Sequence, residues 1–478
     1  MPATTAGGVL LDILKYYAIF ESACALFLII EGVLNINLGV RSTYVKLLKK
    51  LFQFGSRRIE KKRAKIEKTQ QPTKVWTALA TSKTHVLESD EEEKPFDVPF
   101  IDLPPVTPGD FRLNSIFPVV MSGMKDIIED EVTKAFDAEE LPAWNMLTRT
   151  NKGYQHISWR LSLIWFLGFF FRHFILFPIR FMVAIFGILM LLMTAMVIAR
   201  LPEGNFKVSL SRYSNTVTFR ILARALSLHA TYHDRENIAK RDGICVANHT
   251  SPIDVVVLSC DNVCSFVGQL HGGPFGFLQR EIAKAFAHIW FDRAESKDRA
   301  LVTKRMQEHV SDPTKPTILI FPEGACINNT VIMMFKKGSF ELDCPIYPVA
   351  IRYNPMFGDA FWGHQPSMPA HVYDMITSWA IVCDVWYLPA MTREANEDAT
   401  QFANRVRLAI AKKGGMIDID WDPRFQAESK KPEESRWRKQ QQKMLTEKLI
   451  TGPKYPPAAA PTAPPPPSTV PETEHNRS

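Results

Sequence analysis

The stretch Val246-Ala-Asn-His-Thr-Ser-Pro-Ile-Asp254 has the pattern of a short buried strand that runs directly into a helix. Its apolar run ends at Ala247, and Thr250 or Ser251 can cap a helix whose first residue is Pro252. This strand–turn–helix pattern is the building unit of an open α/β sheet.

Two residues of this stretch can carry chemistry. His249 contributes nothing to capping, and an imidazole at the carboxyl end of a strand lies where open α/β sheets bind ligands. Asp254 falls in the first turn of the helix, where it can return to the ring, hold one tautomer and stabilise the charged form. Such a pair can take a proton from an alcohol that attacks a thioester.

The surrounding sequence, from about residue 205 to 430, alternates short apolar runs with amphipathic helices. This alternation predicts an α/β domain with a largely parallel sheet. The predicted strands are residues 244–247, 265–268, 288–291, 317–321, 346–353 and 381–387, with helices such as 297–310 and 399–412 between them.

A second strand ends in the turn Ile318-Leu-Ile-Phe-Pro-Glu-Gly324. Gly324 permits a positive φ angle or close approach of another chain segment. Glu323 can bind glycerol hydroxyls or hold a basic residue in place, and Lys336 and Lys337 can offer positive charge to a phosphate. In isolation, a solvated glutamate in a plain β-turn is the preferred explanation of this motif.

A third motif is His288-Ile-Trp-Phe-Asp-Arg293. Arg293, just beyond a strand end, can bind a phosphomonoester through two N–H donors, or form a surface ion pair with Asp292 or Glu295. The apolar run 346–351 is a core strand that could also line an acyl channel.

The segment 161–199 is the strongest membrane signal. Its last 19 residues carry no charge and reach roughly 28 Å as a helix, close to the thickness of a hydrocarbon core. Arg172, Pro178 and Arg180 divide the segment, which predicts two spans or a hairpin that returns to the same side. Basic residues flank both ends, which favours placing both in the cytosol.

The chain of 478 residues is too long for one core. A net charge of +7 is modest for a nucleic-acid binder but suits a membrane surface. The predicted units are an N-terminal membrane-associated helix and basic region (1–68), a linker (69–155), the membrane segment (156–204), the α/β domain (205–430) and a disordered proline-rich tail (431–478).

Four motifs in this order, NHTSPID, FDR, FPEG and the PVA strand, resemble the four blocks of the PlsC-type glycerolipid acyltransferases. Further stretches resemble the microsomal glycerol-3-phosphate acyltransferases of the endoplasmic reticulum. These are VGQLHGG, KDRALVTKR, INNTVIMMFKKGSF, YNPMFGDAFW and TSWAIVCDVWYLPAMTRE, and the likeness covers about residues 205 to 425.

The resemblance implies transfer of a fatty acyl chain from acyl-CoA to the sn-1 hydroxyl of glycerol 3-phosphate, the first step of phospholipid and triacylglycerol synthesis. It implies that His249 is the base, that Asp254 is its partner, and that Arg293, Glu323 and Gly324 bind the acceptor. It requires no metal or other cofactor. Partners would be the two substrates and the lipid bilayer, without nucleic acid.

The resemblance also implies an endoplasmic reticulum membrane location with the catalytic domain in the cytosol, and a hairpin would permit residence on lipid droplets. The sequons Asn248-His-Thr250 and Asn328-Asn-Thr330 agree, because a glycan on the catalytic turn would block the site. One position departs from the family pattern: Ala325 stands where a threonine or serine usually follows the glycine.

Three alternatives remain open at the level of sequence. The acceptor could be lysophosphatidic acid or another lysophospholipid, since the four blocks do not separate these substrates. The chain could instead be an inactive membrane scaffold, which Ala325 keeps open. A nucleic-acid binder using the basic run 46–68 would predict salt-sensitive DNA binding, but the hydrophobic segments argue against it.

Overall fold

The computed structural model describes residues 6–36, 38–69, 134–139, 141, 147, 157–269, 273–291, 299–363 and 367–423. Arg293, almost all of the predicted linker and the whole predicted proline-rich tail lie outside the described residues. The described part forms one compact unit that ends at Pro423.

Two long apolar helices precede the catalytic sheet. Helix α1 (Ala6–Leu34) is followed by the basic helix α2 (Val40–Thr69), and a second apolar stretch consists of α3 (Trp159–Phe171), a π-helical turn (Arg172–Leu176) and α4 (Phe177–Ile198). Val9–Leu34 and Trp159–Ile198 are both long and apolar enough to cross a membrane by length and composition. These two helices indicate membrane association.

The second apolar stretch differs from the predicted hairpin or pair of spans, because it is one helical run of 40 residues. The residues at both ends of the π turn keep right-handed helical angles, so the chain does not reverse there. Pro178 stands in the first turn of α4, just after the π turn, where its missing N–H is tolerated.

The two arginines of this long helix both bind backbone carbonyl groups of the α/β domain. Arg180 is 2% exposed and donates to the carbonyl oxygens of Ile376 at 2.8 Å and Trp379 at 2.7 Å. Arg172 donates to the carbonyl oxygen of Thr377 at 3.0 Å. These charges therefore face the protein interior and need no break in the helix.

Helix α1 also turns its charge inward. Glu31 is buried and lies 3.3 Å from the guanidinium of Arg224, with Arg41 at 3.9 Å. Gly32 lets α1 approach the helix that carries Arg224 closely, since a side chain there would meet the backbone of Ile221. Glu31, an acidic residue within this apolar segment, thus joins α1 to the α/β domain through Arg224.

The α/β domain is built on a sheet of seven strands. Its helices are α5 (Asn205–Ala225), α6 (Asp254–Ser259), α7 (Gly273–Ala285), α8 (Arg299–Val310), α9 (Met368–Thr377) and α10 (Ala399–Gly414). Its strands are β1 (Leu228–His233), β2 (Ile244–Ala247), β3 (Cys264–Gln269), β4 (Ile289–Phe291), β5 (Thr317–Ile320), β7 (Ile346–Asn354) and β8 (Ile381–Tyr387), with a separate short pair, β6 (Val331–Ile332) and β9 (Ile417–Asp418).

The strands of this sheet lie in the order β1-β8-β7-β2-β5-β3-β4. Every neighbouring pair is parallel except β7 and β8. This confirms the prediction of a largely parallel α/β domain. The central strand β2 is fully buried. His249 follows its carboxyl end, at the end of the sheet where the parallel strands finish.

Candidate active site

His249 and Asp254 form the predicted pair. Nδ1 of His249 lies 2.9 Å from Oδ2 of Asp254. The carboxylate is fully buried, whereas 19% of the His249 side chain is exposed. A carboxylate on Nδ1 holds the proton there and leaves Nε2 as the nitrogen that can accept a proton from a substrate.

The turn between β2 and α6 is organised by the carboxylate rather than by a hydroxyl cap. Helix α6 begins at Asp254, and neither Thr250 nor Ser251 caps it, contrary to the sequence-based expectation. Instead, Oδ2 of Asp254 accepts the backbone N–H groups of Thr250 at 2.8 Å and Ser251 at 3.0 Å. Because the carboxylate reaches back over this turn, it fixes the turn and the His249 ring together.

Tyr353 completes the site and was not singled out by sequence reasoning. Its hydroxyl donates to Oδ1 of Asp254 at 2.6 Å. Burial and the adjacent carboxylate raise the pKa of Tyr353 well above its ordinary value, so it remains a donor. The available signal was its place in β7, next to β2, near the carboxyl end where the site lies.

Glu323 holds the backbone of His249. It is 1% exposed, its Oε1 accepts the His249 N–H at 2.8 Å, and its Oε2 accepts the Met333 N–H at 3.0 Å. On the other side, the N–H of Ile327 donates to the His249 carbonyl oxygen at 2.9 Å. Burial raises the pKa of Glu323 to about 7, although both amide donors oppose this shift.

Gly324 shows both features that the sequence suggested. Its φ angle is +71°, and a methyl group at this position would lie 2.2 Å from Nζ of Lys336. A side chain here would strain the backbone because of the positive φ angle, and it would displace the end of this lysine. The Lys336 ammonium group therefore lies beside the Glu323-Gly324 turn, while Lys337 pairs with Glu341 at 3.0 Å.

A second layer of contacts joins the catalytic turn to α9. The hydroxyl of Ser251 lies 2.9 Å from Nε2 of His371, and both side chains are buried. The backbone N–H of Trp362 donates to the Thr250 carbonyl oxygen at 3.3 Å. Since Arg180 holds the carboxyl end of α9, the long apolar helix and the catalytic turn contact the same small helix.

The environment of the His249 ring sets its proton affinity. The ring stacks on Phe321 with 4.4 Å between centroids. Burial lowers the pKa of His249, but the neighbouring Cys326 and the hydrogen-bonded carboxylate of Asp254 outweigh burial and raise it above its ordinary value. The arrangement therefore provides a strong base on an oriented ring.

Neither sequon asparagine offers its amide for modification in the folded chain. The Asn248 side chain pairs with the backbone of Ile351 through bonds of 2.9 and 2.8 Å. The Asn328 amide donates to the carbonyl oxygens of Lys134 and Asp137. Among the described residues, no group of His, Cys, Asp and Glu is arranged to hold a metal ion. The expectation that the reaction needs no cofactor stays a prediction.

Comparison with known proteins identifies the family of this chain. The family model described as "Acyltransferase" matches residues 229–352, which include the His249–Asp254 pair, Glu323 and Gly324. The chain is 47% identical to human glycerol-3-phosphate acyltransferase 4 over 430 residues, 89% of this chain and 92% of the relative. It is 45% identical to human glycerol-3-phosphate acyltransferase 3, over 83% and 88% of the two chains.

The chain belongs to the family of glycerol-3-phosphate acyltransferases 3 and 4. The match to the family model begins in β1 and ends in β7. It therefore spans the strands that lead into the His249–Asp254 pair and the Glu323 turn. A crystal structure of a lysophosphatidic acid acyltransferase, PlsC, from Thermotoga maritima aligns with 53% of this chain and 96% of its own, at 15% identity and a TM-score of 0.34.

Proposed function

We propose that the chain transfers a fatty acyl group from acyl-CoA to the sn-1 hydroxyl of glycerol 3-phosphate and releases lysophosphatidic acid and CoA. The observation that carries this proposal is the His249 ring, held by Asp254 at the carboxyl end of β2 with Nε2 left to act as a base. The names of the relatives reported above support the choice of acceptor.

In the proposed reaction, Nε2 of His249 takes the proton of the sn-1 hydroxyl while that oxygen attacks the thioester carbon. The C–S bond then breaks, and the departing CoA thiolate receives the proton from the imidazolium. Asp254 stabilises the charge on the ring between these steps, and Tyr353 holds Asp254 in place. The thioester is already an activated donor, so the chemistry calls for no further group.

The acceptor would be bound by the turn at Glu323-Gly324 and by Arg293, which lies outside the described residues. Glu323 acts in this proposal through the turn, because both of its oxygens accept backbone amides. Lys336, beside Gly324, places a positive charge where the acceptor phosphate would approach. Ala325 retains the backbone N–H of the family motif but supplies no hydroxyl.

We propose that this activity resides at the endoplasmic reticulum membrane, with the catalytic domain facing the cytosol. The two long apolar helices support membrane attachment. The engaged amides of Asn248 and Asn328 are compatible with a domain that carries no glycans.

The decisive experiment uses microsomes that express the wild type or His249→Ala, with labelled oleoyl-CoA and three acceptors in parallel. Lysophosphatidic acid formed from glycerol 3-phosphate, and lost in the variant, is the expected result. Acylation of only lysophosphatidic acid or lysophosphatidylcholine would reject the proposed acceptor. Equal activity of variant and wild type would favour the scaffold alternative.

A further inference from the structure

A cavity with polar lining lies at the end of the sheet opposite His249, where the parallel strands begin. Its volume is about 290 Å³, and it is enclosed by the first half of α5, the end of α7, the loop before β5 and the amino ends of β3 and β4. The catalytic turn follows the carboxyl end of β2, which runs parallel to β5. The length of one strand, roughly 13 Å, therefore separates the two sites.

Three basic and two acidic side chains line this cavity, which leaves a small excess of positive charge. Lys207 and Lys315 line it and are paired with Glu203 at 2.6 Å and Asp312 at 3.4 Å. Arg212 also lines it, but has no carboxylate partner among the described residues. Burial and the positive charge of Arg241 lower the pKa of Arg212. An arginine at the cavity that has no carboxylate partner and lies in the field of a second positive charge favours binding of an anion.

His288 adds a fixed hydrogen-bond donor to the cavity wall. The backbone N–H of Phe266 donates to Nδ1 of His288 at 3.2 Å, so the proton of the neutral ring is on Nε2. Burial lowers the pKa of His288 to about 3, which keeps the ring neutral. Within the described part of the chain, no acceptor lies opposite Nε2. The histidine of the third sequence motif thus belongs to this cavity.

Two further buried polar groups lack partners. Asn215 and Ser265 line the cavity at 2% and 1% exposure. Neither side chain makes a hydrogen bond within the described residues, and the Ser265 hydroxyl is buried without a partner. A buried polar group without a partner costs about 1–3 kcal/mol. A bound anion with several acceptor oxygens would accept from the Asn215 amide and the His288 N–H at once.

We propose that this cavity is a second anion site, which binds the phosphate of a small phosphate monoester away from the catalytic turn. Its volume suits a phosphate and a few carbon atoms but not an entire acyl-CoA. Val208 and Phe286 supply apolar walls for the carbon part. Phe286 also packs against Ile198 at the end of α4, so the phosphate could belong to a soluble ester or to a lipid headgroup.

The test measures binding of labelled inorganic phosphate to the purified full-length protein in detergent micelles at constant ionic strength. Arg293→Ala removes phosphate bound at the proposed catalytic site, so binding that survives this change reports the second site. Adding Arg212→Glu or Asn215→Leu should weaken the surviving binding at least ten-fold. Lys304→Glu, a charge reversal on exposed α8, is the matched control and should leave it unchanged.

Two competitors then identify the source of the phosphate. Displacement by glycerol 3-phosphate indicates a soluble ester, and displacement only by micelles that contain phosphatidate indicates a lipid headgroup. The proposal is overturned if Arg293→Ala abolishes all phosphate binding, or if neither Arg212→Glu nor Asn215→Leu alters what remains. Acyl transfer measured on the same variants tests the proposed function separately, because none of these cavity residues touches the catalytic turn.

Discussion

The hydroxyl of Tyr353 and the carboxylate of Asp254 form a hydrogen bond of 2.6 Å across the interface between β7 and the catalytic turn. With this bond, Asp254 accepts four donors: His249, Tyr353 and the N–H groups of Thr250 and Ser251. Besides the His249 ring, three donors therefore hold Asp254 in place: Tyr353 and the N–H groups of Thr250 and Ser251. Removing the carboxylate or only one of its donors should have different effects on catalysis.

Asp254→Asn should nearly abolish acyl transfer. The amide cannot stabilise an imidazolium and can present an N–H to Nδ1, which would favour the wrong tautomer. We expect kcat to fall roughly 10²–10⁴-fold with little change in KM for acyl-CoA. Steady-state kinetics in microsomes with matched protein levels would check this, and an active Asp254→Asn enzyme would exclude the proposed role.

Tyr353→Phe should lower kcat about ten-fold. It removes one hydrogen bond to a charged group, worth about 1.5 kcal/mol. Tyr347→Phe is the matched control, because Tyr347 lies on the same strand and donates to Asp242, away from the site, at 2.7 Å. Equal kcat in the two variants would contradict a positioning role for Tyr353.

The rate should increase with pH because His249 is a base only when neutral. Burial lowers the pKa of His249, but Cys326 and Asp254 raise it by more, so part of the enzyme carries an inactive, protonated ring at neutral pH. We expect kcat/KM to climb as the pH rises through this pKa. Cys326→Ala removes one of the contributions that raise it, so the rising limb should move to lower pH. Cys344→Ala should leave the profile unchanged, and an unshifted profile in Cys326→Ala would argue against this contact.

Glu323→Ala should impair catalysis without touching a reacting atom. The change leaves the N–H groups of His249 and Met333 without their acceptors, at a cost of about 1–3 kcal/mol each. We expect a lower melting temperature and a kcat reduced by at least ten-fold. Glu308→Ala, on exposed α8, serves as the control for loss of a carboxylate, and wild-type stability in Glu323→Ala would refute the structural role.

Arg180→Met should destabilise the whole domain. The change removes the buried guanidinium donors of the carbonyl oxygens at the end of α9. We expect the free energy of unfolding to fall by roughly 3 kcal/mol or more. Arg200→Met is the control, since Arg200 is exposed at the end of the same helix and bonds only the Met196 carbonyl oxygen. Thermal inactivation in micelles would compare them, and matching half-lives would show that the buried contacts are dispensable.

The central strands could be predicted because they are buried on both faces and therefore apolar along their length. β2 and β8 have the predicted bounds, β4, β5 and β7 differ by one residue at one end, and β3 is longer by one residue at each end. The predicted strands did not include β1, whose sequence LHATYH is mixed in polarity. It lies at the edge of the sheet, where only β8 pairs with it, so its polar residues carry little penalty.

The candidate site divides in the same way into local and distant parts. His249 and Asp254 are five residues apart, so their contact follows from the geometry of one turn. Tyr353 lies 99 residues from Asp254, and only the order of β7 and β2 in the sheet brings them together. Arg172 and Arg180 looked like interruptions because their carbonyl partners are about 200 residues away along the chain.

The separation along the chain also means that Arg180 is synthesised well before its carbonyl acceptors. Arg180 leaves the ribosome 198 residues before Ser378, one of its carbonyl acceptors. At about 5–20 residues per second, the wait is roughly 10–40 s. Until α9 is synthesised, the guanidinium lacks these carbonyl acceptors and must keep water or lipid phosphate in their place, which would retain this stretch of helix near the bilayer surface. The order of translation thus sets a temporary position of the long helix in the bilayer. That position becomes fixed when the catalytic domain folds around Arg180.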